Sequence, residues 1–253
     1  MHYVLVAIGT NFTWEAENSA KSIKQNTTNS HVTIYTDTQP KRPQYFDKIT
    51  PIPKTPQDTT QEKHAKIQRI TCLLDHREHH YIHLDVDTYV ICDPSNIFNT
   101  HFHIAAPLTT WRQTNHNYVP GVLAINHSKE TKELFKNWLH DYTISKDTSD
   151  QLHFDHHARK TNHHVLPPEY CAQVGELTQY SGKIHITHRH YENEYLNAIM
   201  PAVFLNQTMN NRVWIPAENR MISSTWSPET GIIYTNYYIT QEHRQLVQEF
   251  TKD

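Results

Sequence analysis

Glycine is scarce in this chain, with 5 residues in 253, and cysteine is scarcer still, with 3. None of the five glycines falls into a G-x-G-x-x-G pattern, so the fingerprint of an NAD-type dinucleotide fold is missing. Cys72, Cys92 and Cys171 lie far apart, are odd in number and form no C-x-x-C. That argues against a disulfide framework and suits a reducing compartment. An excess of positive charge is lacking too. The formal net charge is −3, which offers no basic field for nucleic acid. No run approaches the roughly 18 apolar residues of a membrane span. The opening MHYVLVAIGT has no basic n-region and reads as a strand rather than a signal peptide. We therefore expect no nucleic-acid partner, no transmembrane segment and a cytoplasmic location. We also find no internal repeat and no domain boundary, so a single domain over 1–253 is expected.

Histidine is abundant, at 21 residues, in clusters such as HREHHYIH, HFDHHARKTNHH and HITHRH. These fall in expected helices, strands and loops alike, in a chain equally rich in Asn, Thr and Gln. Most of them read as compositional bias, leaving one or two as metal ligands. No HExxH or Cys/His zinc spacing appears.

The chain is organised around Tyr81–Phe98, YIHLDVDTYVICDPSNIF. An apolar strand leads into Asp85 and Asp87, which strand alternation puts on one side with Leu84, Val86 and Thr88 on the other. Two carboxylates so close repel, and burying both without a countercharge costs several kcal/mol or more. A divalent cation is the simplest remedy, and hard oxygen donors suit Mg²⁺ or Mn²⁺. Open α/β sheets bind ligands outside the carboxyl ends of their strands, where this pair belongs.

The flanking sequence supports such a sheet. YVLVAI at 3–8 reads as a buried strand. A Gly9-Thr10-Asn11 turn follows, and then a helix with Thr13 as its N-cap. HVTIYTD at 31–37 is a second strand, which completes a βαβ unit with its ligand edge at residues 9–14 and Asp37. Residues 40–60 read as an irregular connection, and 61–74 as a helix with Ala65, Ile70, Leu73 and Leu74 inward. After the 81–87 strand come HIAAPL, a Pro-Gly turn into VLAIN, and an amphipathic helix whose stripe is Leu134, Phe135, Trp138 and Leu139. A further helix starts near Asp150-Gln151. HHVLPPEY, KIHITHRH and a closing helix, ITQEHRQLVQEF, complete the chain. The fold class is α/β, with a mostly parallel central sheet flanked by helices.

This ordered series resembles the GT-A fold nucleotide-diphospho-sugar transferases near glycosyltransferase family 8 and its glycogenin-like members. The likeness runs over most of 3–190: strand–GT–helix, TIYTD, a helix carrying Lys66, LDVD, HIAAPL, PGVLAIN, KETKELFKNWLHDY, SDQ, VLPPEY and KIHITHRH. It implies a Rossmann-like nucleotide-binding half at 1–100 ending in the DxD. It also implies an acceptor half at 101–253. The expected activity is metal-dependent glycosyl transfer from a nucleotide sugar, UDP-linked for preference, to a glycan or glycoconjugate hydroxyl. By this resemblance Asp85 and Asp87 hold Mn²⁺ or Mg²⁺ together with a late histidine, either His185 or His188. Val86, Ala7, Thr10, Asn11, Trp14 and Asp37 line the nucleotide pocket, and Lys66 contacts the donor. Asp150 and Gln151 face the sugar and acceptor. The chain departs from the family in having neither a glycine nor Lys-Pro-Trp after that histidine, which leaves Arg189 to grip phosphate. Val119-Pro120 also replaces the usual Asn-Ser or Asn-Thr before GVL.

The resemblance favours retention of anomeric configuration, with Asp150 near the anomeric carbon. Two other readings fit parts of the sequence. LDVDTYV matches the opening motif of a haloacid-dehalogenase-like phosphatase, although there the motif closes the first strand of the domain. A non-catalytic sugar-binding relative is compatible with the altered histidine loop.

Overall fold

The computed structural model describes residues 1–54, 61–108, 118–147, 149–171 and 185–188. It also describes the backbone of four short strands, Arg212–Ile215, Arg220–Ser223, Thr225–Ser227 and Gly231–Ile233, which form two antiparallel pairs. The expected closing helix at 239–250 lies outside the described residues.

The first strand, β1 (His2–Ala7), is buried on both faces, as its unbroken apolar run requires. It lies between β2 (His31–Thr36) and β4 (His80–Leu84), parallel to both. Beyond β2 sits β3 (Lys48–Pro51), also parallel. Beyond β4 come β7 (Val122–Asn126), β6 (Ile104–Pro107) and β8 (His163–Leu166), which completes a seven-stranded sheet of order β3-β2-β1-β4-β7-β6-β8. Only β7 runs against the rest, pairing antiparallel with both β4 and β6. The two apolar faces are covered separately. Ala16, Ala20 and Ile23 of α1 (Thr10–Asn26) pack with Tyr3, Leu5 and Ala7. Ile70 and Leu73 of α2 (Gln61–Asp75) and Leu134, Phe135 and Trp138 of α3 (Lys129–Ile144) pack on the opposite face with Val4. Phe154 of α4 (Gln151–Ala158) joins them there.

Three sequence expectations are corrected. Helix α1 starts at Thr10, with Gly9 at the cap position in a φ of +92° that favours glycine. Thr13 is therefore inside the first turn, where its hydroxyl donates to the Gly9 carbonyl at 2.9 Å and meets Thr36 Oγ1 at 3.0 Å. The 40–60 connection contains a 3₁₀ turn, Pro43–Tyr45, and the edge strand β3. Its approach is fixed by the buried Glu17 on α1, which accepts the Lys41 and Arg42 backbone N–H groups and the Arg42 side chain. Finally, β4 stops at Leu84. Asp85 and Asp87 therefore sit in a turn and not on one face of a continuing strand.

Candidate functional site

The turn that carries the acid pair is closed from within. Thr88 donates to the Asp85 carbonyl through both its backbone N–H, at 3.2 Å, and its hydroxyl, at 2.7 Å. The chain then leaves the main sheet as β5 (Thr88–Val90), which pairs antiparallel with β9 (Ile186–His188). The other edge of β5 is satisfied by α1: the Val90 N–H donates to the Ser22 hydroxyl, and Asn26 Nδ2 donates to the Val90 carbonyl. In the β5–β9 register Thr88 faces His188, so the ladder itself carries that imidazole to the acid pair. The reversed direction of β7 matters equally. Its start lies at the end of β4, with Leu84 opposite Val122. The Pro-Gly turn therefore lies over Asp85, whose N–H donates to the Gly121 carbonyl at 2.8 Å.

Asp85, Asp87 and His188 thus converge, with one ligand atom from each lying within 4.8 Å of the others. His188 Nε2 is 3.4 Å from Asp87 Oδ1 and 3.7 Å from Asp85 Oδ2. The second oxygen of Asp85 is held from behind by Arg69 Nη1 at 2.8 Å, and His83 Nε2 lies 3.5 Å away. The other arm of Arg69 donates to Asp150, whose side chain is 6% exposed. Arg69 thereby ties the DxD turn to the start of α4. Trp138 braces that link: its indole N–H donates to the Asp150 carbonyl at 3.0 Å, and the Arg69 guanidinium lies 5.7 Å over its ring.

Burial acts against charge throughout this corner, and partners outweigh it. It pushes the Asp85 carboxyl up, but Arg69 foremost, then His83 and His188, hold it far below the usual carboxylate range. Burial likewise pushes the His188 imidazolium down, while Asp87 raises it well above the usual histidine value. Asp150 and Asp85 overcome the burial of Arg69 and keep it charged. Arg69 is thus the protein's own fixed countercharge to the acid pair, reaching both Asp85 and Asp150. Two carboxylates and an imidazole form an oxygen and nitrogen donor set of a kind that holds divalent cations.

The other expected site residues divide into several groups. His185 does not join the aspartates. Its ring stacks flat on Tyr170, with centroids 4.5 Å apart at 3°, and its Nδ1 meets the Asp93 carbonyl at 3.0 Å. His188 is therefore the histidine at the acid pair. Ala7 and Val86 are buried, while Thr10, Asn11 and Trp14 are exposed at the start of α1. Asp37 is occupied locally, accepting from the Gly9 N–H at 2.7 Å and the Thr38 hydroxyl at 3.0 Å. Lys66 pairs with Glu62 at 2.7 Å along α2. Asp150 makes no side-chain cap for α4, because its carboxylate turns to Arg69, and Gln151 is the first residue of that helix. Arg189 lies outside the described residues. Arg69, His83, Gly121 and Cys171 were not anticipated. A signal existed for Arg69, which falls four residues from both Ala65 and Leu73 on the inward row of α2.

The sequence matches no protein-family model and no curated protein. Its fold does have solved counterparts. The glycosyltransferase GlyE of Streptococcus pneumoniae superimposes with a TM-score of 0.61 at 16% identity, over 78% of this chain and 56% of GlyE. The galactosyltransferase LgtC, solved with donor and acceptor sugar analogues, gives 0.53 at 13% identity, over 76% of this chain and 88% of LgtC. The bifunctional glycosyltransferase WbbM gives 0.58 at 12% identity, over 77% of this chain and 46% of WbbM. The chain thus spans little more than half of GlyE and under half of WbbM. The expected α/β architecture, a largely parallel sheet with helices on both faces, is present, and the chain has the GT-A glycosyltransferase fold.

Proposed function

We propose that this chain transfers a glycosyl group from a nucleotide-diphosphate sugar, UDP-linked for preference, to a hydroxyl of a glycan or glycoconjugate. The observation that carries the reading is the convergence of Asp85, Asp87 and His188 at the carboxyl edge of a GT-A sheet. These three residues would hold Mg²⁺ or Mn²⁺. When bound, the ion supplies Lewis-acid neutralisation of the diphosphate leaving group. In this reading Trp14, Thr10 and Asn11 offer the exposed edge for the base, beside Ala7, Asp37 and Val86. Lys66 and Arg189 contact the donor's phosphates and sugar. The Arg69–Asp150 pair and Gln151 flank the sugar on the other side of the acid pair.

In the reaction the bond from the anomeric carbon to the diphosphate oxygen breaks and the acceptor oxygen bonds to that carbon. The acceptor proton passes to a base. Asp150 is buried and paired with Arg69, an arrangement suited to fixing a neighbouring sugar hydroxyl and not to abstracting a proton. This favours a retaining, same-face route in which the departing phosphate oxygen takes the proton. The place of the acid pair argues against the phosphatase reading, in which the motif closes the first strand. Here it follows β4, with β1, β2 and β3 ahead of it in the chain.

Calorimetry with a panel of UDP- and GDP-sugars, with and without Mn²⁺, tests the proposal. We expect metal-dependent binding in the cytosol-like buffer of a reducing compartment, lost in Asp85→Asn/Asp87→Asn. No binding at any metal concentration would sink it. Binding without turnover on any acceptor would select the non-catalytic relative.

A further inference from the structure

A neutral imidazole that binds a cation has one lone pair to give, and its other nitrogen carries a proton. Which nitrogen does which is set by the partner of the N–H, usually a carboxylate, a backbone carbonyl or water. For His188 that partner is a sulfur. Nδ1 lies 3.4 Å from Cys171 Sγ, while Nε2 faces the two aspartates. We propose that Cys171 is a positioning residue for the cation site: its sulfur accepts the His188 Nδ1–H and so commits the Nε2 lone pair to the Asp85–Asp87 side. This inference rests on the cation-dependent reading above.

Three features make the contact more than a neighbouring thiol. Cys171 is 5% exposed, so bulk water has little access to replace it at Nδ1. The 3₁₀ turn that presents it, Pro168–Tyr170, is bolted twice to the residue just before β9: Tyr170 stacks on His185, and the Glu169 carbonyl accepts the His185 N–H at 2.8 Å. Cys171 and His188 are therefore held in a fixed relation. The Gly121 backbone also lies against the ring, so that a Cβ there would come within 2.4 Å of His188 Cε1. Gly121 thus closes off space beside the imidazole, and Cys171 sets its tautomer.

Mn²⁺ affinity, read from the electron paramagnetic resonance of free Mn²⁺, tests this in wild type, Cys171→Ala, Cys171→Ser, His188→Ala and His188→Ala/Cys171→Ala. We expect Cys171→Ala to bind about tenfold more weakly, at the lower end of the range for lost outer-shell partners because sulfur is a weak acceptor. Cys171→Ser, which restores an acceptor, should recover most of that loss. The double variant should bind no more weakly than His188→Ala, because Cys171 acts only through the imidazole. Wild-type affinity in Cys171→Ala, or a loss that persists without His188, would overturn this inference alone. Failure of the wild type to bind Mn²⁺ would overturn the cation reading along with it.

Discussion

The carboxyl edge of the sheet carries two unlike regions. At the start of α1, Thr10, Asn11 and Trp14 are exposed, and the turn beneath them is held by the Gly9 N–H donating to Asp37 and the Thr13 hydroxyl donating to the Gly9 carbonyl. At the end of β4, Arg69, Asp85, Asp87, Asp150 and His188 are largely enclosed and come from four distant stretches of chain. The first region can change its side chains with little effect on the fold. The second cannot, because each charge there is tolerated only through its partners.

The sharpest way to break this contrast is Arg69→Ala. It leaves Asp150 and Asp85 facing each other without their shared cation, and the expected loss of stability is about 3–5 kcal/mol. Lysine should not restore it, since one ammonium cannot reproduce a fork that reaches two carboxylates. Urea unfolding of the two variants measures this, and a near-neutral Arg69→Ala would show that the corner is solvated.

A second histidine sharpens the comparison. His76, just after α2, is 5% exposed, but its Nδ1 meets the Tyr35 hydroxyl at 3.0 Å instead of a carboxylate. Burial lowers it from the ordinary 6.5 to about 4. The unfolded chain therefore takes up a proton in that window that the folded chain refuses. This contribution to stability is complete above pH 6.5 and is lost as the pH falls toward 4, by about 3 kcal/mol. His76→Gln should flatten that part of the pH–stability curve. An unchanged slope would assign the window to other groups.

The smallest expected effect on stability lies at the open edge. Trp14→Ala should alter unfolding by no more than about 0.5 kcal/mol. Stacking of a base on an aromatic ring contributes about 1–3 kcal/mol, so nucleotide-sugar affinity should fall roughly tenfold. Full affinity in this variant would place the base elsewhere.

The sequence revealed the edge that depends on local order more readily than the corner that depends on long-range order. The βαβ unit was legible because an apolar run, a glycine turn and a helical stripe are all contained within 2–37. The acid pair was legible because burying two carboxylates demands a countercharge. What supplies that charge was only half legible. A cation was the simplest remedy on paper, while Arg69 reaches Asp85 through the packing of α2 against the sheet, which periodicity hints at without naming a partner. His185 and His188 each fit a family pattern, the first within its strand and the second following it. They part because the β5–β9 register puts His188 opposite Thr88 and leaves His185 beyond the ladder, against Tyr170. Strand β3 was hidden by its terminal Pro51 and its exposed edge position.

The β5–β9 ladder has a consequence for how the chain acquires its shape. It is three residues wide, yet it joins positions such as Tyr89 and Thr187 that are 98 residues apart. Contacts of that separation form only after the intervening chain has given up its loop entropy, so they come late and slowly. A cation bound across Asp85, Asp87 and His188 would span the same seam. It would then serve as a clasp as well as a reagent, with part of its binding free energy reappearing as stability of the β5–β9 ladder.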